Sequence, residues 1–249
     1  MKTFKRIVSS LVVLAIALVI MVGSVWGGMI ATILSVENVD SNDYLYTMEY
    51  KMSYDLDDVI ESDLDSNAKL LDYVVSKVGK GLPIKVKSSQ VADEDGAMNV
   101  FNCTSFQVAE TDGRGYLYGR NYDYFKNPTM VTYSHPKDGY ASIAVSDMSH
   151  FGYSLDKLPK TFMGKIMAVA SIHAPVDGMN EKGLCTSIMA LPRQAARQNT
   201  GKHKVGTTII MRLFLDRCAT VQEAIDLVLT LDISHDSAVG SGYHYMVAD

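Results

Sequence analysis

The sequence predicts an α+β protein: a four-layer αββα sandwich from Asn99 onward, with two stacked antiparallel sheets, preceded by one transmembrane helix. Three observations predict it. The first is a hairpin pattern, in which Phe101 to Ala109 and Tyr116 to Tyr124 have strand composition around the glycine-rich turn Thr111-Asp112-Gly113-Arg114-Gly115. The second is a strand-rich middle followed by two amphipathic helical stretches after Thr207. The third is the run from Ile7 to Leu34, which holds no charged residue and exceeds the roughly 20 apolar residues that span a bilayer.

Four segments follow from this reading. Residues 1–6 carry Lys2, Lys5 and Arg6, whereas Glu37, Asp40 and Asp43 follow the apolar run. A positive flank stays in the cytoplasm, so 7–34 is expected to be a single-pass anchor that places the remainder outside. A cleaved signal peptide is the competing reading, but its apolar core is about 7–15 residues with a small-x-small cleavage site. This run is longer, and Gly23 to Gly27 makes a poor site. Residues 35–98 read as a helical linker or propeptide. Leu56, Val59, Ile60, Leu64, Leu70, Leu71, Val74, Val75 and Val78 recur at helical intervals, interrupted near Asp63 to Asn67. The acidic run from Asp55 to Asp65 lacks the glycine and ligand order of a calcium loop and reads as a solvated helix face. Residues 99–249 read as the β-rich folded part.

Within that part, Pro128 to Ser134 and Tyr140 to Asp147 read as strands, and Phe162 to Ile172 as a further strand region. Ala174 to Leu184 reads as a turn between strands, being rich in Asn, Asp and Gly. Thr207 to Cys218 and Val221 to Thr230 read as helices, with Thr220 as N-cap and Glu223 completing a capping box. Ser241 to Val247 begins a last strand.

Composition excludes several classes. With 23 Lys and Arg against 28 Asp and Glu, the net charge of −5 gives no basic footprint for nucleic acid. The three cysteines, 103, 185 and 218, are widely spaced and lack CxxC, which argues against a disulfide framework and against zinc. No metal and no cofactor is expected.

Chemistry concentrates on the hairpin. If its strands pair, Cys103 at the start of the first lies near Arg120 and Asp123 at the end of the second. A guanidinium beside a thiol favours the reactive thiolate. The bland reading is a small apolar cysteine in a strand near a surface ion pair. The letters shift the balance. Cys103-Thr104-Ser105-Phe106, then Gly119-Arg120-Asn121-Tyr122-Asp123-Tyr124, resembles the linear amide C–N hydrolases: choloylglycine hydrolases, penicillin V acylases, acid ceramidase and acylethanolamine-hydrolysing acid amidase. Gly178-Met179-Asn180-Glu181-Lys182-Gly183-Leu184 resembles a second signature of the same family.

The resemblance implies an N-terminal nucleophile (Ntn) hydrolase fold, self-cleavage between Asn102 and Cys103, catalytic Cys103, Arg120 and Asp123, and Asn180 as a possible site-lining residue. It implies a small-molecule amide substrate and no metal. Two departures stand out. Where bile-salt and penicillin V enzymes carry Asn or Tyr ten residues after the signature Asn, this chain has Ala190. Family members also continue for roughly another hundred residues, with a further catalytic Asn and Arg, so the sandwich is expected to be incomplete. Hydrolysis of a linear amide is the leading expectation. Acyl transfer on the same fold and a catalytically inactive, membrane-anchored binding module are the alternatives.

Overall fold

A computed structural model of the 249-residue chain describes residues 2–52, 54–79, 103–111, 113, 115–124, 126–194, 196–234 and 241–249. Asn102 and the approach to it lie outside the described residues.

The main element is a mixed sheet of seven strands. Its strands are β1 (Glu37–Asn38), β2 (Leu45–Tyr50), β5 (Thr129–Ser134), β6 (Ser142–Asp147), β7 (Asp177–Asn180), β8 (Cys185–Gln194) and β11 (Ser241–Ala248), neighbours in that order. All pairings are antiparallel except β2 with β5, which run parallel. The strands β3 (Thr104–Ala109) and β4 (Tyr116–Asn121) form a separate antiparallel hairpin. β9 (Lys204–Val205) and β10 (Asp232–Ile233) form a short parallel pair.

Helices cover one face of the large sheet. α5 (Thr207–Arg217) lies on β7 and β8, with α6 (Val221–Val228) packed beside it. α5 is buried nearly all round, Ile209, Ile210, Met211, Leu213, Phe214 and Leu215 being inaccessible or almost so. Thr220 caps α6 as its position predicts: its Oγ1 accepts the Glu223 N–H at 3.2 Å, while the Glu223 carboxylate accepts the Ala219 N–H at 2.6 Å. The α2 (Leu56–Glu61) and α3 (Asn67–Gly79) helices sit where the apolar spacing predicts, broken at Ser62–Ser66.

Three expectations need correction. The Phe162–Ile172 strand is a helix, α4 (Phe162–Ala168), continued by a 3₁₀ turn over Val169–His173. Thr161 starts it, its hydroxyl accepting the Gly164 N–H, and Ile166, Val169 and Ala170 turn inward at helical spacing. The large sheet is mixed rather than antiparallel, because β2 runs parallel to β5, and among the described residues the hairpin is a separate two-stranded sheet against it.

The third correction concerns 35–98, which is more than a helical linker. β2 pairs with β5 along its whole length, and Tyr46, Met48 and Tyr50 point into the core. The acidic run is not simply solvated either. Asp55 caps α2, Asp57 pairs with Arg217 at 2.6 Å, Asp58 with Lys77 at 2.6 Å, and Asp63 accepts the Lys204 N–H at 2.7 Å.

α1 (Lys2–Leu34) is continuous by hydrogen bonding but bent by 53° between Ser10–Met21 and Gly23–Leu34. No single helix among the described residues is long and apolar enough to cross a membrane, although this bent pair passes by length and composition together. Its two parts differ in surroundings. Leu11 to Met21 is exposed throughout, whereas Thr32 and Ile33 are inaccessible. At Gly28 a Cβ would stand 2.7 Å from the Lys51 carbonyl oxygen, so only glycine admits the backbone of the strand's end. Thr32 Oγ1 accepts the Lys51 N–H, and Ser35 Oγ accepts the Glu49 N–H. The second part of α1 is thus built into the folded domain.

Candidate active site

The hairpin's register decides which side chains meet. Ser105 faces Arg120 and Thr104 faces Asn121 across the β3–β4 ladder. Alternation along a strand therefore puts Cys103, Ser105 and Gln107 on one face with Tyr118, Arg120 and Tyr122. That face looks at the large sheet. Ser105 Oγ and Tyr118 Oη lie 2.8 Å and 2.5 Å from Ser187 Oγ on β8. Arg120 Nη2 donates to the Ile188 carbonyl at 2.6 Å, and Tyr122 Oη donates to Asp147 at 3.1 Å. The opposite face, with Phe106, Val108 and Leu117, is open to solvent. Cys103 is half-buried, one step before the first paired residue of β3.

Arg120 is the strut across that gap. Its side chain is only 8% exposed. Nη1 donates to the Asn121 carbonyl, and the guanidinium lies 5.3 Å from the Tyr122 ring centroid. Nε stands 3.8 Å from Asp177 Oδ2, near enough for attraction but too long for a hydrogen bond, and it has no other partner. Asp177 on β7 pairs in register with Ser187 on β8, which brings the carboxylate to the hairpin side of the sheet.

Sequence reasoning missed Asp177, Ser187 and Tyr118 as members of this cluster. Asp177 immediately precedes the signature turn, but only sheet pairing shows that it lies under Arg120.

Asp123 follows β4 as an exposed residue between Tyr122 and Tyr124, whose ring centroids stack 5.6 Å apart. Asn180 is buried on the α5 face of the sheet, away from Cys103. Its Nδ2 donates to the Leu215 and Cys218 carbonyls, and its Oδ1 accepts the Lys182 and Leu184 N–H groups. Those four bonds fill the amide's capacity and leave nothing for a ligand. The signature turn thus fixes the end of α5 to the sheet. Cys185 and Cys218 are free thiols, both pushed up by burial, Cys218 to about 12. Neither environment favours a thiolate. Among the described residues, no group of His, Cys, Asp and Glu has the geometry to hold a metal ion.

Burial pushes the Asp177 carboxyl up to about 6, against the pull of Arg120. The native state therefore holds this proton more tightly than the unfolded chain. The stability this proton contributes is full below about pH 4 and is lost as pH rises through 6. Asp177→Asn is expected to remove that dependence. Denaturant midpoints of the variant and the parent, compared from pH 4 to pH 7, should move in the variant's favour as pH rises. A constant difference would contradict this assignment.

A family model described as "Linear amide C-N hydrolases, choloylglycine hydrolase family" matches residues 103–249. No curated protein matches. Among solved structures, one variant of conjugated bile acid hydrolase from Clostridium perfringens is 19% identical, with a TM-score of 0.41, over 59% of this chain and 45% of that one. A second variant of that enzyme is 16% identical, with a TM-score of 0.30, over 60% and 36%. Penicillin V acylase from Agrobacterium tumefaciens is 16% identical, with a TM-score of 0.30, over 60% and 35%. The chain thus spans less than half the length of each of these structures.

Proposed function

The chain belongs to the choloylglycine hydrolase family of linear amide C–N hydrolases, and from that premise we propose that it is a membrane-anchored amidase with Cys103 as nucleophile. What supports this reading is the register of the hairpin, in which strand alternation carries Cys103 toward the face of Arg120, the residue bonded to Ile188 on the large sheet.

In this reading the Asn102–Cys103 bond is cleaved by the chain itself. Cys103 then bears both a thiol and a free α-amine, whose reference pKa of about 7.7–8.0 suits a general base near neutral pH. The amine takes the thiol proton as sulfur adds to the carbonyl carbon of an N-acyl amide or conjugated acid. The C–N bond breaks, the leaving amine departs with that proton, and a thioester remains. Water then adds to the thioester, releasing the carboxylic acid and regenerating the thiol. Arg120, held by the Ile188 and Asn121 carbonyls, supplies fixed positive charge beside the sulfur. Asp123 orients the α-amine. The hairpin belongs to the second sheet of an αββα sandwich, and its outer face carries the exposed Phe106, Val108 and Leu117. The anchor is α1, in a single-pass orientation with the domain outside.

Two other readings keep a specific basis. An amine in place of water would resolve the same thioester by acyl transfer. An inactive binding module is favoured by Ala190, which replaces a substrate-facing polar residue of the bile-salt and penicillin enzymes.

The test is mass spectrometry of the purified protein combined with an assay for amine released from an N-acyl amide. A polypeptide that begins at Cys103, with amine release, is the expected result. Only uncut chain, with no release, would leave the inactive module.

A further inference from the structure

Beyond a simple tether, and resting on the membrane-anchor reading above, we propose that the first turn of α4, with Phe162 and Met163, sits in the headgroup layer of the phospholipid bilayer that α1 enters, so that the domain is held flush with the membrane.

The argument starts from lengths. Ile7–Val22 rises about 24 Å at 1.5 Å per residue, short of the roughly 30 Å hydrocarbon core. The segment that projects from the domain therefore cannot span by itself. Gly23–Leu34 must contribute, and it is bent by 53°. Its twelve residues run about 18 Å along their own axis, or roughly 11 Å along the first segment's direction. The two together reach about 35 Å, past the core but inside the roughly 40–45 Å that includes headgroups. Gly23–Leu34 cannot swing free, because Gly28, Thr32 and Ser35 bind it to the end of β2. Whatever packs beside its last turn is carried to the interface with it.

What packs there is α4. The helices are in contact, and Lys165 Nζ donates to the Val36 carbonyl at 2.6 Å. Two adjacent large apolar side chains at the start of α4 face outward, Phe162 at 59% and Met163 at 52% exposed. Leu34, at the end of α1, is 62% exposed. The exposed apolar surface is thus continuous in kind with the exposed stretch Leu11 to Met21 of the same helix. Beside it opens a groove of about 520 Å³, with Leu155, Leu158, Met163 and Met167 in its walls and Lys157 and Lys160 among its exposed lining residues. Lys160 is paired with Asp43 at 2.7 Å, which leaves the exposed Lys157 beside the apolar walls, an arrangement that suits acyl chain below and phosphate above. Trp26, the single tryptophan of the chain, falls near the edge of the hydrocarbon core by the same measure, the depth that tryptophan favours.

That single tryptophan also makes the test direct. In a Trp26→Phe background the full chain carries no tryptophan, so one can be placed at will. Phe162→Trp is compared with Leu14→Trp, in the exposed part of α1, and with Ile225→Trp, an exposed apolar position on α6. Each is reconstituted in phosphatidylcholine vesicles with and without bromine on the acyl chains near the headgroup. The expected result is severalfold quenching and a blue shift for Phe162→Trp and Leu14→Trp, with Ile225→Trp unaffected. Quenching of Leu14→Trp without Phe162→Trp overturns the inference and leaves the anchor standing. Quenching of neither overturns the anchor and the inference together. Equal quenching of Ile225→Trp shows contact unrelated to α4 and also overturns the inference.

Discussion

Arg212→Leu is expected to be the most destabilising single change in the folded domain. Arg212 is inaccessible to solvent in the middle of α5, and Asp216 one turn on is equally buried. Nε and Nη2 of the guanidinium donate to both carboxylate oxygens at 2.8 Å and 2.6 Å, and Nη2 also donates to Ser142 Oγ on β6. Tyr54, from the segment before α2, donates its hydroxyl to Asp216 Oδ1 at 2.8 Å. Removing the cation leaves a buried carboxylate without its counter-charge, which costs about 3–5 kcal/mol. Replacing both partners with leucine should cost less than Arg212→Leu alone, because no charge is then stranded. Tyr54→Phe should cost about 1.5–3 kcal/mol, a single hydrogen bond to a charged group that keeps its other partners. Chemical denaturation of the four proteins checks the order. A double variant less stable than Arg212→Leu would show that the network stabilises by more than compensating its own burial.

That network also shows where sequence reading stops. Ile209, Ile210, Leu213, Phe214 and Leu215 were legible as a core stripe because helical spacing is a local property. Arg212 lies inside the stripe, and its burial depends on Asp216 four residues on, Ser142 seventy residues back and Tyr54 far upstream. β2 was illegible for a similar reason. Leu45 to Tyr50 alternates core and surface, but its partner β5 comes after the nucleophile, and a parallel pairing across that separation leaves no local mark. α4 was misread because Phe162 to Ile172 is an apolar run without a clear period. The Thr161 cap and the helix-favouring Ala168 and Ala170 tip it to helix in spite of Gly164.

At the site, the hairpin followed from strand composition on either side of a glycine-rich turn. What Arg120 holds did not, since Asp177, Ser187 and Ile188 reach it through sheet register. The Asn180 turn was legible as a turn. Its task, tying the last carbonyls of α5 to β7, required the packing of helix on sheet.

In a protein extended to the length of its family, Cys103→Ser is expected to lower amide hydrolysis by orders of magnitude and to slow self-cleavage. Serine keeps a nucleophilic atom but exchanges a thiol of reference pKa about 8.5 for a hydroxyl that hardly ionises near neutral pH. Fold stability should barely change, since Cys103 is half-buried at the start of the hairpin and the core does not rest on it. Cys185→Ser is the matched control. That thiol is also half-buried, but burial pushes its ionisation up and its hydrogen bond is to the Gly183 carbonyl, 3.6 Å away. Turnover should survive its loss. Arg120→Lys separates charge from shape: lysine keeps the cation but cannot hold the Ile188 and Asn121 carbonyls with a planar fork. Its activity should fall only in part, and mainly in kcat if the guanidinium acts on the transition state. Amine release by each purified variant, with the amino terminus sequenced alongside, checks the series. Parent-like turnover in Cys103→Ser together with loss in Cys185→Ser would move the nucleophile to β8 and leave the hairpin with a structural task alone.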